Sequence, residues 1–173
     1  MLRPLLAICL LLVCSPARVW AEHDGKLQIV LLGDSISTGC NASGWAGVAP
    51  FQPPYQDLLL QHLQAGRAGK VSLTNLAVGG TSTPWGLTKV SEVVAAKPDL
   101  VLLAFGMNDS AGRSVSEYRS NMAEMLRLIR EGAPETEFIL IATMRGNADW
   151  VTLKQELFDG YRDALQELTG PGV

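Results

Sequence analysis

Leu27-Gln28-Ile29-Val30-Leu31-Leu32-Gly33-Asp34-Ser35 decides the fold. Its first six residues are nearly all apolar, as a strand buried on both faces of a parallel sheet must be. The run stops at a small-acidic-serine turn, which places a hydroxyl at the carboxyl edge of that sheet. In open α/β sheets ligands bind at this edge. Two further polar turns follow later apolar runs: Asn75-Leu76-Ala77-Val78-Gly79-Gly80, then Gly106-Met107-Asn108-Asp109. One serine after a strand means little, but three such turns in order point to a nucleophile with an oxyanion hole.

Working outward, residues 71–76, 100–105 and 138–143 read as the second, third and fourth strands. Helical spacing falls between them. Tyr55, Leu58, Leu59 and Leu63 mark a helix over 55–63, and a second spans 85–96 before Lys97-Pro98 ends it. Ser114 opens a third, with Glu117 completing a capping box. Val115, Tyr118, Met122, Met125, Leu126 and Ile129 then form an apolar stripe that belongs to the core. A last helix over 150–168 carries Leu153, Leu157, Phe158, Tyr161, Leu165 and Leu168, and Gly170-Pro171-Gly172 stops it. Strands alternating with helices predict an α/β fold with a parallel sheet covered on both faces. The alternation calls for another strand after the last helix, where the sequence ends at Val173. Residues 39–54, rich in Gly and Pro and carrying Trp45 and Phe51, break the rhythm. Long strand-to-helix connections of this kind line sites.

The chain has 173 residues, 47% hydrophobic and 18% charged, enough for one domain with a real core. A net charge of −3 excludes the basic field that nucleic-acid binding requires. Arg3, the apolar run 5–14 and Val19-Trp20-Ala21 read as a signal peptide, residues 1–21, cleaved after Ala21. That run is short for a membrane span. The expectation is a secreted or periplasmic domain over 22–173 with no stable membrane anchor. Cys40 is then the one cysteine left, which excludes an intramolecular disulfide and reads as a small buried hydrophobe.

Ester cleavage needs an activated hydroxyl and preorganised donors for the oxyanion. Ser35 supplies the nucleophilic oxygen and a backbone N–H. Gly80 brings a second N–H close because it has no Cβ, and Asn108 offers a side-chain amide. Neighbouring strands lie about 4.8 Å apart, so turns on adjacent carboxyl ends converge on one atom.

Taken together, Gly33-Asp34-Ser35-Ile36-Ser37-Thr38-Gly39, the 75–80 turn and Gly106-Met107-Asn108-Asp109 resemble the blocks of the SGNH (GDSL-type) hydrolases. The resemblance implies Ser35 as nucleophile and oxyanion donor, with Gly80 and Asn108 completing the oxyanion hole. It also implies a three-layer α/β/α sandwich with a flavodoxin-like, five-stranded parallel sheet, of which four strands are visible here. A fourth block, Asp-x-x-His, supplies the base in such enzymes. This sequence lacks it, since its histidines are His23 and His62, and the expectation is either a truncated chain or a base-less variant. The function expected from the resemblance is a serine carboxylic ester hydrolase that removes small acyl groups, acetyl first, from carbohydrate or related esters. A lysophospholipase or thioesterase, or a base-less module binding acyl groups or sugars, is the alternative.

Rival chemistries fit less well. An α/β-hydrolase elbow needs Gly where Ser37 stands. A flavodoxin-like phosphate loop wants a helix directly after 35–39, which the Gly/Pro-rich stretch disfavours. Asp34 and Asp109 read as turn residues capping nearby N–H groups rather than as metal ligands, and no cofactor is expected. His62 reads as structural, while Arg145 and Trp85 are candidates to touch substrate.

Overall fold

A computed structural model describes residues 25–40, 42–68, 70–147, 149 and 152–173. The expected signal peptide lies outside them. Four parallel strands form one sheet: β1 (Leu27–Gly33), β2 (Val71–Asn75), β3 (Leu100–Ala104) and β4 (Glu137–Leu140), in the order β2-β1-β3-β4. The α/β architecture expected from the sequence is therefore present.

β1 is central, pairing Leu31 with Asn75 on one side and with Leu102 on the other. Its residues 29–32 are fully buried, which explains the near-continuous apolar run. Ile29 and Leu31 face one core, with Leu27, Val71, Leu100 and Leu102, under the helix α2 (Tyr55–Gly66). Val30 and Leu32 face the other, with Val101, Leu103 and Phe105. That second core is closed by α3 (Thr83–Thr88), α4 (Val90–Ala95), α5 (Val115–Gly132) and α6 (Leu157–Glu167). The stripe on α5 behaves as read, with Tyr118, Met122, Met125 and Ile129 fully buried and the Ser114–Glu117 capping box formed. Tyr118 and Tyr161 stack with ring centroids 4.3 Å apart, joining α5 to α6.

Several elements differ from the sequence reading. A one-turn helix, α1 (Ser35–Thr38), does follow the first strand directly, because the Asp34 carboxylate accepts the Ile36 N–H at 3.0 Å. The helix expected over 85–96 starts earlier, at Thr83 with Pro84 in its first turn, and breaks at Lys89. There the Lys89 N–H turns back to the Gly86 carbonyl at 3.0 Å, and this tightened turn lets Val90 and Val93 reach the core. The last helix begins only at Leu157. The Lys154 N–H is drawn off to the Ser110 carbonyl at 3.0 Å, which holds the segment before α6 in turns; Trp150 and Val151 lie outside the described residues. β4 ends at Leu140, although Ile141 still donates to the Leu103 carbonyl at 2.9 Å.

The strand order reverses direction across β1. β1 leads outward to β2, and the chain returns to place β3 on its other side. This reversal opens a crevice at the carboxyl ends of β1 and β3, the place where such sheets bind ligands. No helix among the described residues is long and apolar enough to cross a membrane.

Candidate active site

All three polar turns lie at this crevice, and hydrogen bonds between them fix their spacing. Ser35 is the first residue of α1 and is half-buried. Gly33 just before it admits no side chain, since a Cβ would stand 2.7 Å from the Ala104 carbonyl and 2.7 Å from Ser37 Oγ. That close approach brings the turn after β1 against β3 and points the chain into α1.

The 75–80 turn is tied to the serine turn at several points. Asn75 Nδ2 donates to the Ser37 carbonyl at 2.8 Å, and Asn75 Oδ1 accepts the Ala77 N–H at 3.0 Å. Val78 N–H and Thr81 Oγ1 both reach the Gly33 carbonyl, at 3.1 and 3.3 Å. Gly79 passes so near that a Cβ on it would lie 3.8 Å from Ser35 Cβ. Gly80 takes φ +77°, which an L side chain resists, and is exposed to solvent.

The third turn is anchored from below. Asn108 Nδ2 donates to the Thr81 carbonyl at 2.7 Å, so the amide sits beside the glycine turn. Asp109, fully buried, accepts Thr83 Oγ1 at 2.6 Å and Thr83 N–H at 3.1 and 3.3 Å. Arg113 approaches the same carboxylate at 3.5 Å, and Asn121 Nδ2 donates to Thr83 Oγ1 at 3.0 Å. The structure thus gathers Ser35, Gly80 and Asn108 around one crevice. Among the described residues, neither the Ser35 hydroxyl nor the N–H groups of Ser35 and Gly80 have a hydrogen-bond partner.

Both buried acids titrate high. Burial pushes the Asp34 carboxyl up to about 6; the nearby Asp109 charge adds to this, while N–H groups of Ile36 and Met107 draw it back. Burial also raises Asp109, opposed by Thr83 and Arg113.

Other residues singled out in the sequence fall elsewhere. Cys40 is exposed rather than buried, 3.4 Å from Thr38 Oγ1, because the chain turns outward immediately after α1. His62 is exposed on α2. Arg145 pairs with Asp159 of α6, and Trp85 packs against the core with Lys89 Nζ 5.5 Å from its ring. Among the described residues no group of three or more His, Cys, Asp or Glu could hold a metal. Sequence reasoning missed the braces: Asn75, Thr83, Asn121, and the Ser37–Tyr55 hydroxyl pair at 2.8 Å. Only Asn75 carried a signal, as a polar residue ending an apolar strand.

On the α2 side of the crevice a pocket of about 390 Å³ is lined by Asp34, Ile36, Ser37, Tyr55, Ala104 and the 141–144 segment. It lies behind the serine turn, away from Gly80 and Asn108, none of which borders it.

The chain belongs to the GDSL-like lipase/acylhydrolase family, whose model matches residues 31–171. No curated protein matches it by sequence. Among solved structures it is similar to a lipase/acylhydrolase from Enterococcus faecalis, with 26% identity and a TM-score of 0.65, over 82% of this chain and 70% of that one. A lipase from a goat rumen metagenome matches at 20% identity and TM-score 0.67, over 84% of this chain and 77% of that one. An acetyl-xylooligosaccharide esterase variant from Geobacillus Stearmophilus matches at 18% identity and TM-score 0.63, over 82% and 71%. The last two likenesses speak for the fold.

Proposed function

We propose that this site cleaves carboxylic esters with Ser35 as nucleophile. One observation carries this: a strand-end serine with an unengaged hydroxyl stands against the 79–80 glycine turn, and the Asn108 amide is held beside that turn on the Thr81 carbonyl. The Ser35 oxygen adds to the ester carbonyl, and negative charge moves onto the carbonyl oxygen. Ser35 N–H, Gly80 N–H and the second N–H of Asn108 Nδ2 receive it. One such donor is worth about 3 kcal/mol in the transition state. Collapse of the adduct expels the alcohol, and water then releases the acid from Ser35.

The serine proton needs a base, and general base catalysis contributes roughly 10²–10⁴-fold. Of the two histidines in the sequence, His62 is exposed on α2 and His23 lies outside the described residues. Turnover by this chain alone is therefore expected to be slow, and the substrate class we propose is a small acyl group, acetyl first, on a carbohydrate or related ester. Family membership and the likeness to the Enterococcus lipase/acylhydrolase support acyl-ester chemistry.

Binding of phenylboronic acid tests the site without requiring turnover, because boron forms a tetrahedral anionic adduct with a serine oxygen. Calorimetry is expected to show binding that disappears in Ser35→Ala and weakens about 10²-fold in Asn108→Ala. Equal binding by Ser35→Ala would remove Ser35 from the chemistry.

A further inference from the structure

From Ser35 to Gln56 the sequence contains no Asp, Glu, Lys, Arg or His. This uncharged stretch exposes three large apolar side chains, Trp45 at 62%, Val48 at 58% and Phe51 at 64%. Apolar side chains grouped on one exposed loop mark a surface that meets something. They cannot retract by small shifts. Gly44 N–H donates to the Gln52 carbonyl at 2.8 Å, Gln52 N–H to Ser43 Oγ at 2.8 Å, Val48 N–H to the Ser43 carbonyl at 2.9 Å and Phe51 N–H to the Val48 carbonyl at 2.9 Å. Phe51 is held at φ +58°, a conformation bulky residues resist, and still presents its ring to solvent.

Both ends of the loop are fastened beside the nucleophile. At its start, Cys40 N–H donates to the Ser35 carbonyl at 3.1 Å; at its end, Tyr55 OH meets Ser37 Oγ at 2.8 Å. The loop therefore leaves from and returns to the turn that carries Ser35.

We infer that residues 42–52 form a platform for a neutral oligosaccharide chain, with the rings of Trp45 and Phe51 stacking on sugar faces, a placement that rests on Ser35 being the ester-cleaving residue. Two of the three exposed groups are flat aromatic faces, suited to the C–H faces of a pyranose ring. The loop has no charge to offer, and a neutral polyol needs none. A lipid surface is the less fitting occupant, because segments that lie on membranes combine apolar groups with Lys or Arg. A braced loop also has little ordering entropy left to lose on binding.

Affinity electrophoresis through gels containing soluble neutral polysaccharides (xylan, galactomannan and mixed-linkage β-glucan in turn) tests this by binding alone. At least one is expected to retard the chain, unchanged between 0.05 and about 0.5 M salt, since no ion pair is involved. Trp45→Ala and Phe51→Ala should each weaken retardation about three- to tenfold, and Trp45→Phe should restore most of it. Val48→Ala should change it less than about twofold. Far-UV circular dichroism checks that the variants are folded. Absence of retardation by all three polysaccharides, retardation insensitive to both aromatic substitutions, or binding to phosphatidylcholine vesicles instead would each overturn the platform. Phenylboronic acid binding reports the Ser35 site separately, so failure of one idea is distinguishable from failure of the other.

Discussion

Replacing Thr83 with valine is the sharpest test of how the oxyanion donors are held. The substitution preserves shape and removes one hydroxyl from a fully buried position. That hydroxyl donates to Asp109 Oδ1 at 2.6 Å and accepts from Asn121 Nδ2 at 3.0 Å. A hydrogen bond to a charged group is worth about 1.5–3 kcal/mol net. Asp109 keeps the longer Thr83 N–H contacts and Arg113, so the lower half of that range applies. Asn121 is half-buried and recovers part of its loss from water. The sum is about 2–3 kcal/mol of lost stability. With a urea m-value of about 2 kcal/mol/M for a domain of this size, the midpoint should fall by about 1–1.5 M at unchanged m. Thr83→Ser keeps the hydroxyl and should lose less than half as much. Urea unfolding followed by circular dichroism and tryptophan fluorescence measures both variants. A valine variant within about 0.5 kcal/mol of the parent, or a serine variant equally damaged, would refute the clamp.

Other expectations follow from the same contacts. Gly33→Ala forces a Cβ to within 2.7 Å of a carbonyl oxygen. It should cost about 1–3 kcal/mol of stability and weaken phenylboronic acid binding, because the serine turn must shift. Asp34→Asn tests pH linkage. With a folded pKa of about 6 against about 3.9 unfolded, the ionised acid opposes folding above pH 6, and this penalty is relieved as pH falls from about 6 to 4. The two-unit gap corresponds to about 3 kcal/mol. Asparagine still accepts the Ile36 N–H, so urea titrations at several pH values should show the variant gaining on the parent between pH 4 and 7. A constant difference would contradict the raised pKa. Ser114→Ala removes the capping box of α5 and should lower stability by about 1 kcal/mol, read in the same urea assay.

Strands were legible because burial on both faces leaves a plain mark. The runs in β1 and β3 are almost wholly apolar, and the turns after them carry the residues that now line the crevice. The α5 stripe and its cap were legible for a similar reason, since both are local. What escaped was either very short or held from a distance. α1 is one turn long and depends on a single carboxylate cap. The delayed start of α6 depends on Ser110, far back in the chain, capturing the Lys154 N–H. Helical periodicity continues through that segment and cannot register the competing acceptor. Cys40 is outside because a turn, not its own polarity, sets its place. The braces of the site are invisible to pattern for the same cause: Asn75 and Ser37 stand 38 residues apart, Thr83 and Asp109 stand 26 apart, and only the fold pairs them.

Those long separations govern when the site comes into being. Each brace closes a large loop, and loop closure is costly until the contacts it permits have formed. β1 cannot be flanked on both sides before residues near 71 and near 100 have both arrived, so the crevice has no local precursor. Its assembly is therefore expected to come late and cooperatively in folding. Native-state hydrogen exchange at Leu76, Val78 and Thr83, whose N–H groups bond the Leu31 and Gly33 carbonyls and the Asp109 carboxylate, should consequently proceed by opening of the whole sheet rather than by local fraying. Here the integrity of the chemical site and the integrity of the fold are one measurement.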